Sequence, residues 1–227
     1  MSEAPSPTTA DRFLDGRLVL EQPASGRHRA GHDAILLAAT IETTAAGRLV
    51  DLGAGVGTAG LAAAIRAPGL VVRLAEIDTD CLRLAAANVA ANGLGERVET
   101  VAVDLLGAAK AREAVLPRES ADFVLCNPPF YAAGSVRASP RGPRATAHVL
   151  AEGGLEDWLR VAAATLAPHG LMSLIFTGDG LAEILAGLAG RFGAATILPV
   201  HPREDQPAHR LIVTAIKGSR ARARILP

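Results

Sequence analysis

The chain has no net charge, few cysteines and no apolar run of membrane-spanning length. Its 23 lysines and arginines balance 23 acids. No global field draws it to nucleic acid, so any such binding must come from local basic stretches. Its two cysteines, Cys81 and Cys126, sit in apolar periodic segments. Cysteine there behaves as a small buried hydrophobe, and neither a disulfide nor a metal site is expected. Apolar residues make up 49% of the chain, yet no segment has the roughly 18 consecutive apolar residues that a membrane helix needs. The first residues are polar and proline-containing and lack the apolar core of a secretory signal. Residues 1–15 are expected to be a disordered tail, and a cytoplasmic location is expected. There is no internal repeat.

At 227 residues the chain suits a single domain over 16–227, in which 16–46 is an N-terminal strand and helix extension. A short strand is expected over 16–22 and a turn at 23–26. A helix follows over 34–40, with Asp33 as candidate cap. His28 and His32 read as surface or capping histidines. Strands are then expected over 48–52, 70–75, 98–103 and 121–126. Helices over 58–66, 80–91 and, more weakly, 108–115 separate them, and Asn92-Gly93 closes the second of these. Beyond lie a helix over 152–166, a strand over 171–177 and a helix over 181–188. Two strands over 195–200 and 210–217 lie too close for a helix between them, and so form an antiparallel pair. Trp158 reads as a helix-to-sheet core anchor. Alternating strands and helices with apolar strands indicate an α/β fold with a parallel sheet covered on both faces.

Asn127-Pro128-Pro129-Phe130 ends the fourth of those early strands. Neither proline can donate to a ladder, so the strand stops there, and Pro128 holds Asn127 extended. An amide oxygen and a nearby carbonyl can each accept one hydrogen of an exocyclic NH₂. The Phe130 ring can stack on a flat substrate. Gly53, Glu76 and Asp104 end the three strands before it. Ligands of such sheets bind beyond the carboxyl ends of the strands, so all four tips should line one crevice.

The loop after the first of these strands is Gly53-Ala54-Gly55-Val56-Gly57, preceded by Asp51. Glycines let backbone approach a ligand closely. The third glycine of a dinucleotide loop would lie further along than Gly57. Asp51 could hold a ligand ammonium, directly or through water. Glu76 stands where an acid can accept from both ribose hydroxyls, and Asp104 could accept from an adenine amine. Together these describe S-adenosylmethionine better than a nicotinamide dinucleotide.

On these residues the chain resembles the class I S-adenosylmethionine-dependent methyltransferases. Asp51 to Gly57 matches that family's first motif, Glu76-Ile77-Asp78 the second, Asp104 the third and Asn127 to Phe130 the fourth. The resemblance implies a Rossmann-like fold with a seven-stranded, mostly parallel sheet, an antiparallel C-terminal strand and helices on both faces. It implies a cofactor set of Asp51, Gly53, Ala54, Gly55, Glu76, Ile77, Asp104, Leu105 and Asn127. Gln22-Pro23, the stretch from Arg29 to Ala38, and the His201-Pro202-Arg203, Pro207 to Arg210 and Lys217-Gly218 patterns are similar to bacterial tRNA(Val) adenine-N6 methyltransferases. Phe130 stands where that group usually has tyrosine.

That resemblance implies methyl transfer to adenine N6 of tRNA, with Asn127, Pro128 and Phe130 as catalytic residues. Asn127 and the Pro128 carbonyl would hold the amine while Phe130 stacks on the base. Tyr131 to Leu150 carries Arg137, Arg141 and Arg144 without an acid, and Tyr131, Arg29 and these arginines are the expected RNA contacts. Arg27 belongs to the same basic stretch as Arg29. Arg210, Lys217, Arg220, Arg222 and Arg224 form a further basic stretch. The alternatives are an rRNA guanine-N2 methyltransferase, a protein glutamine-N5 methyltransferase and a non-catalytic module that binds the cofactor or RNA. The glutamine enzymes carry a helical N-terminal domain by resemblance, and only about 47 residues precede the first central strand here.

Overall fold

The computed structural model describes residues 7–24, 31–129 and 154–227. It opens with an antiparallel hairpin of β1 (Thr8–Phe13) and β2 (Leu18–Pro23). Strand β1 lies inside the stretch expected to be a disordered tail, which corrects that expectation for residues 8–13. Asp15-Gly16 is the cause. Leu14, Asp15 and Gly16 all take left-handed φ values of 54°, 55° and 84°, and such a turn suits the twist of a hairpin.

Helix α1 (His32–Ala39) follows. Its N-cap residue is Gly31, with no side-chain cap. Asp33 was the expected cap, but its carboxylate instead accepts from Arg210 Nε at 2.8 Å. The chain then alternates β3 (Ala46–Leu52), α2 (Thr58–Arg66), β4 (Gly69–Glu76), α3 (Thr79–Ala91), β5 (Val98–Ala102), α4 (Ala109–Val115) and β6 (Ala121–Cys126). Helix α5 (Gly154–Thr165), β7 (Leu166–Thr177), α6 (Leu181–Leu188), β8 (Phe192–Val200), β9 (Arg210–Lys217) and β10 (Arg224–Ile225) complete it.

The main sheet runs β10-β8-β9-β7-β6-β3-β4-β5. Strand β9 runs antiparallel to both neighbours, and the other pairs are parallel. The expected seven strands are β3 to β9, and the two-residue β10 adds an eighth at the edge beside β8. Strand β7 begins at Leu166, earlier than expected, because a register shift lets its first residues reach Ala121.

Side chains on the central strands alternate between two cores, as the two-residue period of a strand requires. Val50, Leu52, Val124 and Cys126 face Trp158, Leu159 and Ile184 of α5 and α6. Leu49, Val72 and Leu125 face Leu37, Leu61 and Ala85 of α1, α2 and α3. Each fully buried leucine contributes about 1.5–3 kcal/mol, so both faces are closed and ligand access is left to the strand ends.

The far end of the sheet takes much of the C-terminal basic stretch. Lys217 Nζ donates to Glu119 Oε1 at 3.2 Å and to the Leu166 carbonyl at 2.6 Å. Both partners sit near the start of β7, away from the strand tips. Ala194 N donates to the Ala221 carbonyl, which ties the Arg220–Arg222 segment to that same end. Arg210 lies at the opposite end, paired with Thr177 at the close of β7.

Candidate cofactor and substrate site

Strands β6, β3, β4 and β5 are consecutive neighbours in the sheet. In their parallel register Leu52 stands beside both Ala75 and Cys126, and Glu76 stands beside Ala102. The four tips expected from the sequence therefore lie in one row: Asn127, Gly53, Glu76 and Asp104. Strands are about 4.8 Å apart, so three spacings make the row about 14 Å long. Backbone bonds weld it together. Gly53 N and Ala54 N both donate to the Ala75 carbonyl, at 2.9 and 3.0 Å, and Val103 N donates to the Glu76 carbonyl at 2.9 Å.

The glycine loop is shaped from both sides. At Gly53, φ is +68° and an added Cβ would lie 2.6 Å from the Trp158 ring, so only glycine fits over the indole. Gly55 has φ +56° but no atom within 4 Å of an added Cβ. Its outer face is open, as a loop that must meet a ligand requires. Glu76 clasps the crest: Oε2 accepts from Gly55 N at 2.8 Å, and Oε1 accepts from Ile77 N and Asp78 N at 2.8 and 2.9 Å. A carboxylate offers about four acceptor positions, so Glu76 retains capacity on Oε2.

Asp51 lies beneath this loop. It is 2% exposed, and its Oδ2 accepts from Gly60 N, in the first turn of α2, at 2.8 Å. Burial pushes its carboxyl up to about 7, the Gly60 N–H pulls it down and the nearby Glu76 charge pushes it up again. Asp51 thus anchors helix to strand under the loop and does not present its carboxylate at the crevice surface. Burial likewise pushes the neighbouring Cys126 thiol up, with Asp51 adding to the effect.

At the other end of the row Asp104 is exposed. Its Oδ1 accepts from Leu106 N and Gly107 N, both at 3.0 Å, which leaves Oδ2 for a ligand. Ile77 is 49% exposed beside Glu76 and offers an apolar face to a flat ring. Leu105 instead turns into the core with Val103 and Leu116. Its carbonyl accepts from the buried Arg112 Nη1 at 3.0 Å, so the Leu105 side chain is turned away from the crevice and its carbonyl is already engaged.

At the β6 tip, Pro128 is buried while Asn127 and Pro129 are half-buried. No hydrogen bond to another described residue engages the Asn127 amide. Phe130, Tyr131, Arg137, Arg141, Arg144 and Arg29, with Arg27 and His28, lie outside the described residues.

Three contributors went unread in the sequence. Trp158 is core, as expected, but its ring also forms the floor under Gly53, and its Nε1 is buried without a partner among the described residues. Asn88, 1% exposed, donates to the Val56 carbonyl of the glycine loop at 3.0 Å. Arg112 braces the Asp104 turn. Only the helix spacing of Asn88 and Asn92 gave any local signal.

Gly55's open face, the spare oxygens of Glu76 and Asp104 and the exposed Ile77 fit a nucleoside cofactor. No phosphate-sized cradle of backbone donors is needed to explain them. Residues 27–183 match the family model described as "Methyltransferase small domain". A tRNA1(Val) (adenine(37)-N6)-methyltransferase of Aeromonas hydrophila is 32% identical over 197 residues, covering 84% of this chain and 77% of that protein. A predicted O-methyltransferase of Agrobacterium tumefaciens, known as a crystal structure, is 37% identical with a TM-score of 0.71, covering 85% of this chain and 84% of that one. A 16S rRNA guanine-N2 methyltransferase of T. thermophilus, solved with AdoMet and guanosine, shares the fold at 21% identity and a TM-score of 0.61, covering 93% of this chain and 50% of that one.

Proposed function

The chain belongs to the methyltransferase small domain family, and from that premise we propose that it methylates the exocyclic N6 of adenine in tRNA, as a cytoplasmic enzyme. The observation that carries this reading is Asn127-Pro128 at the tip of β6, beside the glycine loop. S-adenosylmethionine is the cofactor, and when bound it supplies an electrophilic methyl group.

Glu76 would hold the ribose hydroxyls, Asp104 Oδ2 the adenine amine and Ile77 a face of the purine. Gly53, Ala54 and Gly55 would give the close backbone approach. Asp51 would support them from below through Gly60. Asn127 would also border the cofactor.

An adenine N6 lone pair is delocalised into the ring and is a poor nucleophile. Asn127 Oδ1 and the Pro128 carbonyl would each accept one N6 hydrogen. Both acceptors together favour a more pyramidal nitrogen, which frees its lone pair. This is orientation and electrostatic assistance, not proton abstraction. The bond from sulfur to methyl would break as the bond from N6 to methyl forms, the neutral thioether would leave, and the extra N6 proton would pass to water after transfer. A hydroxyl acceptor has one hydrogen and would leave one of these oxygens unused, so the pair favours nitrogen over oxygen. Phe130 and Tyr131 would stack against the extruded base, each stack contributing about 1–3 kcal/mol. Arg29, Arg137, Arg141 and Arg144 would contact phosphate and make binding weaken with salt.

The test is mass spectrometry of nucleosides from tRNA and rRNA of cells with and without the gene. Loss of N6-methyladenosine from tRNA is expected. Unchanged tRNA with loss of N2-methylguanosine from rRNA would transfer the assignment to guanine, and unchanged RNA, with peptide mass spectrometry of the same cells showing loss of a methylated glutamine, would transfer it to protein.

A further inference from the structure

The free edge of the N-terminal hairpin is not left to water. Strand β2 pairs with β1 on one side, and an unpaired edge would expose backbone donors and acceptors. Two side-chain amides at α3 take that edge. Val19 N donates to Asn92 Oδ1 at 3.0 Å, and Asn92 Nδ2 donates back to the Val19 carbonyl at 2.7 Å. Glu21 N donates to Asn88 Oδ1 at 2.7 Å, and Asn88 Nδ2 donates back to the Glu21 carbonyl at 3.1 Å. A carboxamide is chemically a peptide unit. Two of them four residues apart on a helix are separated by about 6 Å along its axis, close to the roughly 6.7 Å between alternate strand residues. The helix thus imitates a pairing strand.

The two amides differ in their second Nδ2 hydrogen. That of Asn92 returns to its own helix, at the Asn88 carbonyl, 2.7 Å away. That of Asn88 crosses to the Val56 carbonyl in the glycine loop at 3.0 Å. Both donor hydrogens of Asn88 are therefore spent on joining two segments that lie far apart in sequence. On the loop's other side Gly55 N is held by Glu76, one residue from Val56.

We infer that Asn88 is a positioning residue for the cofactor loop, and that through it the attachment of the N-terminal hairpin and the occupancy of the loop are linked. The inference rests on the cofactor reading above. Binding that fixes Val56 orients the Asn88 amide and tightens Glu21. By reciprocity, a firmly attached hairpin strengthens cofactor binding by the same factor. Asn92 holds the same hairpin but does not touch the loop, and so supplies the internal control.

The experiment uses the full chain and its Asn88→Ala and Asn92→Ala variants. Hydrogen exchange is followed at the hairpin and loop amides, and S-adenosylhomocysteine binding by calorimetry. Without ligand, Asn92→Ala is expected to speed exchange in the hairpin alone, by about tenfold or more for the two bonds lost to Val19. Asn88→Ala should speed it in both the hairpin and residues 53–60. With ligand, the wild type and Asn92→Ala should gain protection at Glu21, and Asn88→Ala should not. The ligand's Kd should rise about tenfold or more in Asn88→Ala and change by less than about twofold in Asn92→Ala. Equal Kd changes in the two variants, or a loop that exchanges normally in Asn88→Ala, overturn the inference. A wild type that ignores the ligand overturns the cofactor reading instead, while ligand-free exchange of the loop still decides the role of Asn88. Should Asn88→Ala not fold, Asn88→Asp replaces it: it keeps the acceptor for Glu21 N and removes the donor to Val56.

Discussion

The carboxylate of Glu76 accepts the Gly55 N–H at 2.8 Å, so the acid at the end of one strand holds the loop that leaves the next. The same side chain also serves Ile77 N and Asp78 N. It therefore shapes the loop before any ligand arrives, in addition to its proposed hold on a ribose. Replacing it with alanine removes both contributions. Charge-assisted bonds are worth about 1.5–3 kcal/mol each, so Glu76→Ala is expected to raise the S-adenosylhomocysteine Kd by at least about tenfold. Calorimetry checks this, and an unaltered Kd would sink the ribose assignment.

Two glycines of the loop should fail in different ways. Gly53→Ala drives a methyl into the Trp158 ring, 2.6 Å away, at φ +68°. A cost of about 1–3 kcal/mol is expected from strain and overpacking, read as a lowered denaturation midpoint. Gly55→Ala meets nothing within 4 Å, so its stability should fall by only about 1 kcal/mol from the backbone alone. Its methyl projects into the open crevice, and cofactor affinity should fall more than stability. Identical melting losses in both variants would contradict this division.

Asn127→Ala should reduce methyl transfer by at least about a hundredfold, the scale of losing one well-placed polar group. Cofactor affinity should stay within a few-fold of the wild type, because the loop, Glu76 and Asp104 are untouched. Equal losses in transfer and cofactor binding would make Asn127 a structural residue of the strand tip. Single-turnover rates and calorimetry on one preparation separate the outcomes.

Asp51 makes a pH prediction whose sign is set by its burial. Its folded-state value is about 7, against 3.8 for an ordinary aspartic acid. The native state then holds the proton more tightly than the unfolded state. Stability from this group is full below about 4, declines as pH rises and levels off above about 7. Asp51→Asn has no such titration. The wild type should therefore lose ground to the variant between about pH 4 and pH 7 in denaturant titrations. Parallel profiles for the two proteins would show that Asp51 stays ionised throughout.

The site's main line was legible because glycines, acids and prolines mark strand ends by local chemistry. Gly53, Glu76, Asp104 and Asn127 each interrupt an apolar run, and parallel topology does the rest. The partners of polar side chains were not legible. Asp33 meets Arg210 across 177 positions, and Asn88 meets Glu21 across 67. Nothing in the flanking pattern of either residue encodes so distant a neighbour, and an amide on an amphipathic helix looks the same whether it faces water or a strand. Asp15-Gly16 is turn chemistry, but it borders a polar, proline-containing stretch whose composition reads as a tail. Lys217 stood out only as part of a basic stretch, because its partners Glu119 and Leu166 are brought to it by the sheet alone.

Trp158 is the chain's single tryptophan, and its ring lies against Gly53. All indole emission from the unmodified protein thus arises at the floor of the glycine loop. A ligand that shifts the loop, or a purine that settles above it, changes the surroundings of that one fluorophore. Trp158 emission is therefore expected to report cofactor occupancy, without label or radioactive methyl.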